Sequence, residues 1–403
     1  MKIVHINLSY SSGFGYTENM LLKALAKLGH EVHLITTNTQ IYWYENIMYK
    51  EVYEERLGPA ITAVHSFEEH GVIIHRLPYF KFCPFKSWFH QFDQFGIEGI
   101  YQYLNKIKPD IIQCQEINLY STFYAARYAQ KNGVKLFTEN HIHKSIFNPK
   151  RRILKQVYNY FNPFLREINK QTSICFPIAP DAEDLTSSFY KVPQSKIRLQ
   201  SLGVDTDLFT YIDRQNRNID VQRLRDQMNY KTDDIVVIYT GRFTEGKNPL
   251  LLAQAIDYLY EKGYTHFKGL FLGKGEKNYT AKINNCKGCM SHDFVPVHEL
   301  AAYYWASDIG VWPFQESMSQ IDALSTGLPL VLSDTIEVKD RIEGNGYLYR
   351  EGDFKDLANQ LLKLKDKGFR IKLGKHGASR VESEFSWDTI AKIRTDYYRG
   401  VKK

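Results

Sequence analysis

The sequence predicts an α/β protein made of two doubly wound, Rossmann-like domains. Three observations predict it. Short apolar runs alternate with amphipathic stretches, the pattern of a parallel sheet with helices on both faces. The alternation restarts after about residue 230. The 403 residues are too many for one ordinary core, and two domains of roughly 200 residues are the natural division.

Lys2–Leu8 reads as the first strand. A loop, Ser9–Tyr16, follows. Glu18–Leu28 then carries Met20, Leu21, Ala24, Leu25 and Leu28 at helical spacing, and Gly29 ends it. Glu31–Thr36, Gly71–Arg76, Asp110–Gln115 and Val134–Thr138 read as further strands, with a helix at Ser121–Lys131. A boundary falls near residue 205, and Arg214–Arg225 reads as a charged surface segment entering the second half. There, strands are expected at Asp234–Thr240, Phe267–Leu272, Ser291–Val295, Ile309–Trp312 and Leu330–Leu332. Helices are expected at Pro249–Glu261, Val297–Ala306 and Ser319–Ser325.

Composition narrows the function. The chain is 43% hydrophobic and 24% charged, as in ordinary globular enzymes. No run of about 18 apolar residues predicts a membrane span. The start, MKIVHINLSY, has no apolar leader segment, so the expected location is the cytoplasm. A net charge of +7 does not by itself indicate nucleic acid; it suits phosphorylated ligands or an anionic membrane surface. The five cysteines make no disulfide framework. Cys83, Cys114 and Cys175 are isolated. Cys286 and Cys289 form one CxxC near His292 and His298, either a zinc half-site or two small residues at a strand edge.

The stretch "YTGRFTEGKNPLLLAQAI" (Tyr239–Ile256) carries the most chemistry. Gly241 and Gly246 allow tight turns just after a buried strand. The helix starting near Asn248–Pro249 directs its unpaired N–H groups at the loop, which favours an anion. Arg242 brings a planar fork for two phosphate oxygens and Lys247 a mobile point charge. Either cation alone would read as a solvated surface residue. Together, beyond the carboxyl end of a strand, they read as a diphosphate clamp.

From this stretch onward the chain resembles the retaining nucleotide-sugar glycosyltransferases of the GT-B fold, family 4 in particular. The resemblance runs in order through "GRFTEGKNPLLLAQAI", "FLGKGE", "HDFVPVHELAAYYWASDIGVWP", "IDALSTGLPLVLSD" and "GNGYLYREGDFKDLANQL". The first half matches more loosely, through "SSGFGYTENMLLKALAKLGHEVHLIT" and "KIRLQSLGVDTDLF"; "FSWDTIAKIRTDYY" is similar to a terminal helix that returns to the first domain. The resemblance implies two Rossmann-like domains facing across a cleft: an acceptor-side domain, 1–205 with 386–403, and a nucleotide-sugar domain, 206–385.

It also implies site residues. Gly13, Gly15, Gly241 and Gly273 would bring backbone near the donor, and Phe294 and Val295 would wall the base pocket. The family carries two glutamates eight positions apart. Asp322 takes the place of the later, a ribose acceptor, and Phe314 that of the earlier. Either Glu316 reaches the donor sugar instead, or Gln315 or the backbone N–H groups of Met318–Gln320 do; Ser317, Met318 and Ser319 are expected among the donor-binding residues. In "TENHIHKS", His141 would face the sugar, with His143 in reserve. Glu139 is not read as a nucleophile, because the resemblance implies front-face retention, in which the departing diphosphate oxygen takes the acceptor proton. Arg242 and Lys247 would stabilise that leaving group.

The implied activity is transfer of a hexose from a nucleotide-diphosphate donor to a glycan or lipid-linked acceptor, in cell-surface polysaccharide or glycoconjugate synthesis, with no cofactor and no metal. Asp205 and Asp207 spell a DxD, which at a domain junction reads as capping rather than as a metal site. The stretches Lys81–Phe95 and His143–Phe164 mix cations with aromatics. They suit stacking on sugar rings, peripheral docking on an anionic membrane, or a buried face with snorkelling lysines. A nucleotide-sugar epimerase and a non-catalytic nucleotide-sugar binder are the alternative functions. A dinucleotide dehydrogenase is disfavoured, since Gly13-Phe-Gly15 lacks the third glycine of that fingerprint.

Overall fold

The computed structural model describes residues 1–41, 49–81, 95–142, 162–212, 219–314 and 316–401. Most of the two basic, aromatic stretches, together with Cys83, His143 and Gln315, lies outside the described residues. The chain forms two compact units, Met1–Leu202 with Ile390–Lys403, and Gly203–Thr389.

The strands of the first unit are β1 (Lys2–Ile6), β2 (Glu31–Thr37), β3 (Ser66–Glu69), β4 (Val72–Leu77), β5 (Tyr79–Lys81), β6 (Phe95–Ile97), β7 (Ile111–Cys114), β8 (Lys135–Asn140) and β9 (Thr172–Pro177). Seven of them form a sheet in the order β3-β4-β2-β1-β7-β8-β9. Its neighbours pair in parallel except at the β3–β4 hairpin, which the sequence reading did not foresee. β7 is buried along its whole length, and β1, β2 and β8 nearly so, as parallel strands covered on both faces must be. The helices Thr17–Lys27 and Tyr120–Asn132 cover the sheet through Leu21, Leu22, Leu25, Ala125, Ala126 and Ala129. β9 also escaped the sequence reading, because it follows the helix Pro163–Gln171 directly, with no turn residue between. The last helix, Trp387–Arg399, contributes Arg394 and Tyr398 to the interior of this unit.

The second unit holds β10 (Ile235–Thr240), β11 (Phe267–Leu272), β12 (Cys289–His292), β13 (Ile309–Trp312), β14 (Leu330–Ser333) and β15 (Gly346–Tyr349). Its order is β12-β11-β10-β13-β14-β15, with parallel pairing throughout. β12 begins and ends earlier than Ser291–Val295. Its ladder runs from Gly269 opposite Cys289 to Leu272 opposite His292, so it stops where β11 stops. Phe294 and Val295 are therefore loop residues beyond its carboxyl end. Arg225 also corrects the sequence reading. It lies in the helix Ile219–Gln227, is 1% exposed, and donates to the carbonyls of Ala306, Lys231 and Asp234. A guanidinium can be buried when several carbonyls satisfy its donors. The chain enters and leaves this unit side by side, Val204 N–H donating to Phe385 O (2.9 Å) and Trp387 N–H to Val204 O (3.3 Å). Among the described residues, no helix is long and apolar enough to cross a membrane.

Candidate functional site

In the second sheet the chain runs outward from β10 to β12, then crosses back to β13 on the other side of β10. A crevice therefore opens outside the carboxyl ends of β10 and β13, where sheets of this kind bind ligands.

The loop after β10 is held from below. Gly241 has φ +146° and its N–H donates to Leu272 O (3.0 Å). Phe243, 2% exposed, pairs by its backbone with Gly275 and anchors the loop in the core. Gly273 has φ +151°, and a Cβ there would stand 1.9 Å from the Gly241 carbonyl oxygen. The two glycine turns therefore lock against each other. On this base Arg242 is exposed, its carbonyl accepting from the Tyr239 hydroxyl at 2.9 Å. Asn248, at φ +48°, turns the chain into the helix Pro249–Glu261. Lys247 is half-buried, and its Nζ donates to the Glu316 carbonyl oxygen at 3.1 Å. Burial pulls its pKa down. The Arg242 charge adds to that and Glu316 opposes it.

The facing loop follows β13. Trp312 Nε1–H donates to Thr240 O (3.0 Å) and ties the two strand ends together. Glu316 offers its carbonyl to Lys247, while its carboxylate accepts the Glu337 N–H at 3.0 Å. The carboxylate is thus engaged with the loop after β14. Ser317 precedes the helix Met318–Ser325 and gives that helix no side-chain cap. Arg341, 5% exposed, donates to Ser317 O (2.9 Å) and Gln320 Oε1 (2.8 Å), which fixes the start of this helix. One turn in, Asp322 is half-buried. Desolvation pushes its carboxyl up to about 8, Arg341 opposing and the Asp205 charge adding. Tyr304, fully buried, bonds Thr240 Oγ1 at 2.8 Å; burial and the Asp322 charge raise its pKa, with Ser319 bonding against the rise. Phe294 is 66% exposed and Val295 7% exposed, at the same carboxyl edge of the sheet.

Asp205 Oδ1 accepts the N–H groups of Asp207 (3.1 Å) and Leu208 (3.3 Å), a local cap. Burial raises the thiol pKa of both Cys286 and Cys289, whose Sγ atoms turn to the carbonyls of Lys282 and Ala253. Among the described residues, no group of three or more His, Cys, Asp or Glu could hold a metal ion.

In the first unit, Gly13 (φ +74°) and Gly15 lie in the loop after β1. Asn19 Nδ2 donates to Ser11 O (2.9 Å) and the buried Arg76 to Tyr10 O (2.9 Å), which holds this loop. His141 follows β8. Its Nε2 pairs with Glu139 Oε2 at 2.7 Å, and its N–H donates to Glu116 Oε2 at 3.4 Å. Burial alone would lower the His141 pKa; the Glu139 bond and charge, with Glu116 and Glu18, raise it instead. Glu139 is fully buried, with Arg394 Nη2 at 3.0 Å from its Oε1.

Arg242, Lys247, Glu316, the helix start at Ser317–Ser319, and Asp322 thus gather at one sheet edge of the second unit. His141, Gly13 and Gly15 belong to the first. Arg341 and Tyr304 were missed. Arg341 sits among charged residues in "VKDRIEGNG", where sequence gives no sign of burial.

Fold and site together define a class of protein with two Rossmann-like units and an anion-ready loop at a sheet switch point. The family model described as Glycosyltransferase Family 4 matches residues 11–208, and that described as Glycosyl transferases group 1 matches residues 234–367. The chain belongs to the glycosyltransferases of this group 1, family 4 type. It is 26% identical to spore coat protein SA of Bacillus subtilis over 239 residues, covering 54% of this chain and 62% of that protein. Among solved structures it is similar to sucrose-phosphate synthase from Thermosynechococcus elongatus, with TM-score 0.67 and 20% identity over 99% of this chain and 98% of that one. It is also similar to HepE from Anabaena in complex with UDP, with TM-score 0.68 and 13% identity over 99% and 100% of the chains. The fold is GT-B.

Proposed function

We propose that the protein is a retaining, metal-independent glycosyltransferase that moves a hexose from a nucleotide-diphosphate sugar to a glycan or lipid-linked acceptor, in cell-surface polysaccharide or glycoconjugate synthesis. The observation that carries this reading is the bridge from Lys247 Nζ to the Glu316 carbonyl. It joins the two loops flanking the sheet switch point and leaves Arg242 exposed beside them. The UDP bound by the similar HepE structure supports a diphosphate in this crevice.

In this reading Arg242 and Lys247 take the diphosphate oxygens. Charge grows on the leaving oxygen as the glycosidic bond breaks, and fixed positive groups in a partly desolvated loop stabilise that charge more than water does. Asp322 accepts the ribose hydroxyls, and Phe294 and Val295 flank the base. The N–H groups at the helix start, Ser317, Met318 and Ser319, face the donor sugar. They do so in place of Glu316, whose carboxylate is held by Glu337. His141 faces the sugar from the acceptor side. The acceptor hydroxyl attacks on the face from which the diphosphate leaves and gives that diphosphate its proton.

The test is release of nucleoside diphosphate from UDP-, GDP- and ADP-hexoses, with and without chelator, and anomer analysis of any transferred sugar. Turnover of one donor in chelator with retained configuration is expected. Inversion, or strict dependence on added metal, overturns the mechanism; absence of turnover with tight nucleotide binding favours a non-catalytic binder.

A further inference from the structure

Beneath His141 lies a chain of buried contacts that the proposed mechanism does not use. Glu139 is 0% exposed, and its two oxygens are divided. Oε2 takes the His141 ring at 2.7 Å. Oε1 takes Gln113 Nε2 at 2.9 Å and Arg394 Nη2 at 3.0 Å. Gln113 is itself oriented by the Tyr398 hydroxyl, which donates to its Oε1 at 2.7 Å. Arg394 and Tyr398 stand one turn apart on the last helix, so both inner contacts of the carboxylate trace to that helix. The Arg394 guanidinium lies 3.6 Å over the Phe176 ring, which fixes its plane. Among the described residues its Nε and Nη1 have no hydrogen-bond partner, and Glu139 is its ion-pair partner at 3.0 Å.

We propose that Arg394, acting through Glu139, is a positioning residue for His141: it balances the buried carboxylate so that His141 is held by Nε2–H and presents Nδ1 as its remaining polar edge. Tyr398 and Gln113 support the same carboxylate oxygen. The link to turnover rests on the proposed role of His141; the coupling between the residues does not.

The physical argument is one of charge and geometry. A buried carboxylate needs a counter-charge. With Arg394 present, that need is met from below and the imidazole can be neutral, its proton on Nε2. Without Arg394, the imidazolium becomes the nearest counter-charge and His141 holds its second proton to higher pH. The charged and titratable groups around His141, among the described residues, are Glu139 on β8, Glu116 after β7, Glu18 on the first helix, His5 on β1 and Arg394 on the last helix. Of these only Arg394 is a permanent cation, so its removal has a defined sign.

The test is long-range 1H–15N NMR of the histidine rings in the full-length protein, with His141 assigned by its loss in His141→Gln. In the parent protein the neutral ring is expected to carry its proton on Nε2. Arg394→Gln should raise the His141 midpoint by about 1 pH unit or more, and Arg394→Lys should restore it. Tyr398→Phe, which removes a hydroxyl but no charge, should change the tautomer ratio and leave the midpoint in place; it also serves if Arg394→Gln does not fold. A midpoint and tautomer identical to the parent in Arg394→Gln, or, if that variant does not fold, an unchanged tautomer in Tyr398→Phe, overturns the coupling. The NMR result is independent of any nucleotide sugar. With the donor found by the panel, the limb of the kcat profile governed by His141 should move with the midpoint in Arg394→Gln. A limb that stays in place overturns the link to turnover.

Discussion

The side-chain nitrogen of Lys247 stands 3.1 Å from the carbonyl oxygen of Glu316, so a cation from the loop after β10 is bonded to the loop after β13. This contact sets Lys247 apart from a surface lysine. The ammonium is partly desolvated and already placed at the sheet switch point, and it can exchange one oxygen partner for another without leaving the loop.

Arg242→Ala and Lys247→Ala should each lower turnover by ~10²-fold or more, the range for loss of one preorganised stabilising group. Lys247→Arg should recover less than its charge suggests, because a planar fork does not fit a point contact. Steady-state rates with the donor found by the panel check this; unchanged rates in both alanine variants remove the clamp from the mechanism.

Asp322 should make nucleotide binding depend on pH. In the free protein its carboxyl is pushed up to about 8, so near neutrality it is mostly protonated. Ribose hydroxyls donating to it favour the ionised form, and binding then releases a proton. Affinity should rise with pH up to about 8, by at most about tenfold per unit, and level off above. Asp322→Asn should give a flat profile. Calorimetry in two buffers of different ionisation enthalpy reads the proton directly.

Glu139 should contribute an acid-sensitive share of the first unit's stability. Burial favours its neutral form, but Arg394 and the His141 bond outweigh that and hold it down to about 2, from an ordinary 4.5. Its contribution is therefore complete above pH 4.5 and is lost as pH falls from 4.5 towards 2. Glu139→Gln leaves Arg394 buried without a counter-charge, and a loss of about 3–5 kcal/mol at neutral pH is expected. Denaturant unfolding at several pH values should show that difference shrinking on the acid side.

Gly273→Ala should disrupt the clamp from outside it. Its Cβ would stand 1.9 Å from the Gly241 carbonyl oxygen, at a φ of +151° that a side chain rarely adopts. The loops after β10 and β11 must then part. A destabilisation of more than about 1 kcal/mol and weakened nucleotide binding are expected. A variant of unchanged stability and affinity would show that the two loops do not need to interlock.

Much of the fold was legible in the residues themselves. Buried parallel strands such as "IVVIYT" are continuous apolar runs, and their ends are marked by glycine and by the onset of helical spacing. Arg242 and Lys247 were legible as candidates for the same reason, since they follow such a strand, whereas Asp322 was a candidate only through the family resemblance. What failed lay where local signals are weak. β9 follows a helix with no turn residue, and β12 is bounded by where its partner β11 ends, which its own residues do not record.

The sequence by itself determined the two α/β halves and the anion-ready loop, because these follow from periodicity and backbone chemistry within short stretches. Only the tertiary structure decided which charges are buried and with whom. Arg394 meets Glu139 across 255 positions of chain, and Arg341 meets Ser317 across 24. Glu316 accepts the Glu337 N–H through its carboxylate, across 21 positions. The environment of an ionisable group is set by neighbours that sequence distance does not predict, and in a low-dielectric interior those neighbours fix its charge.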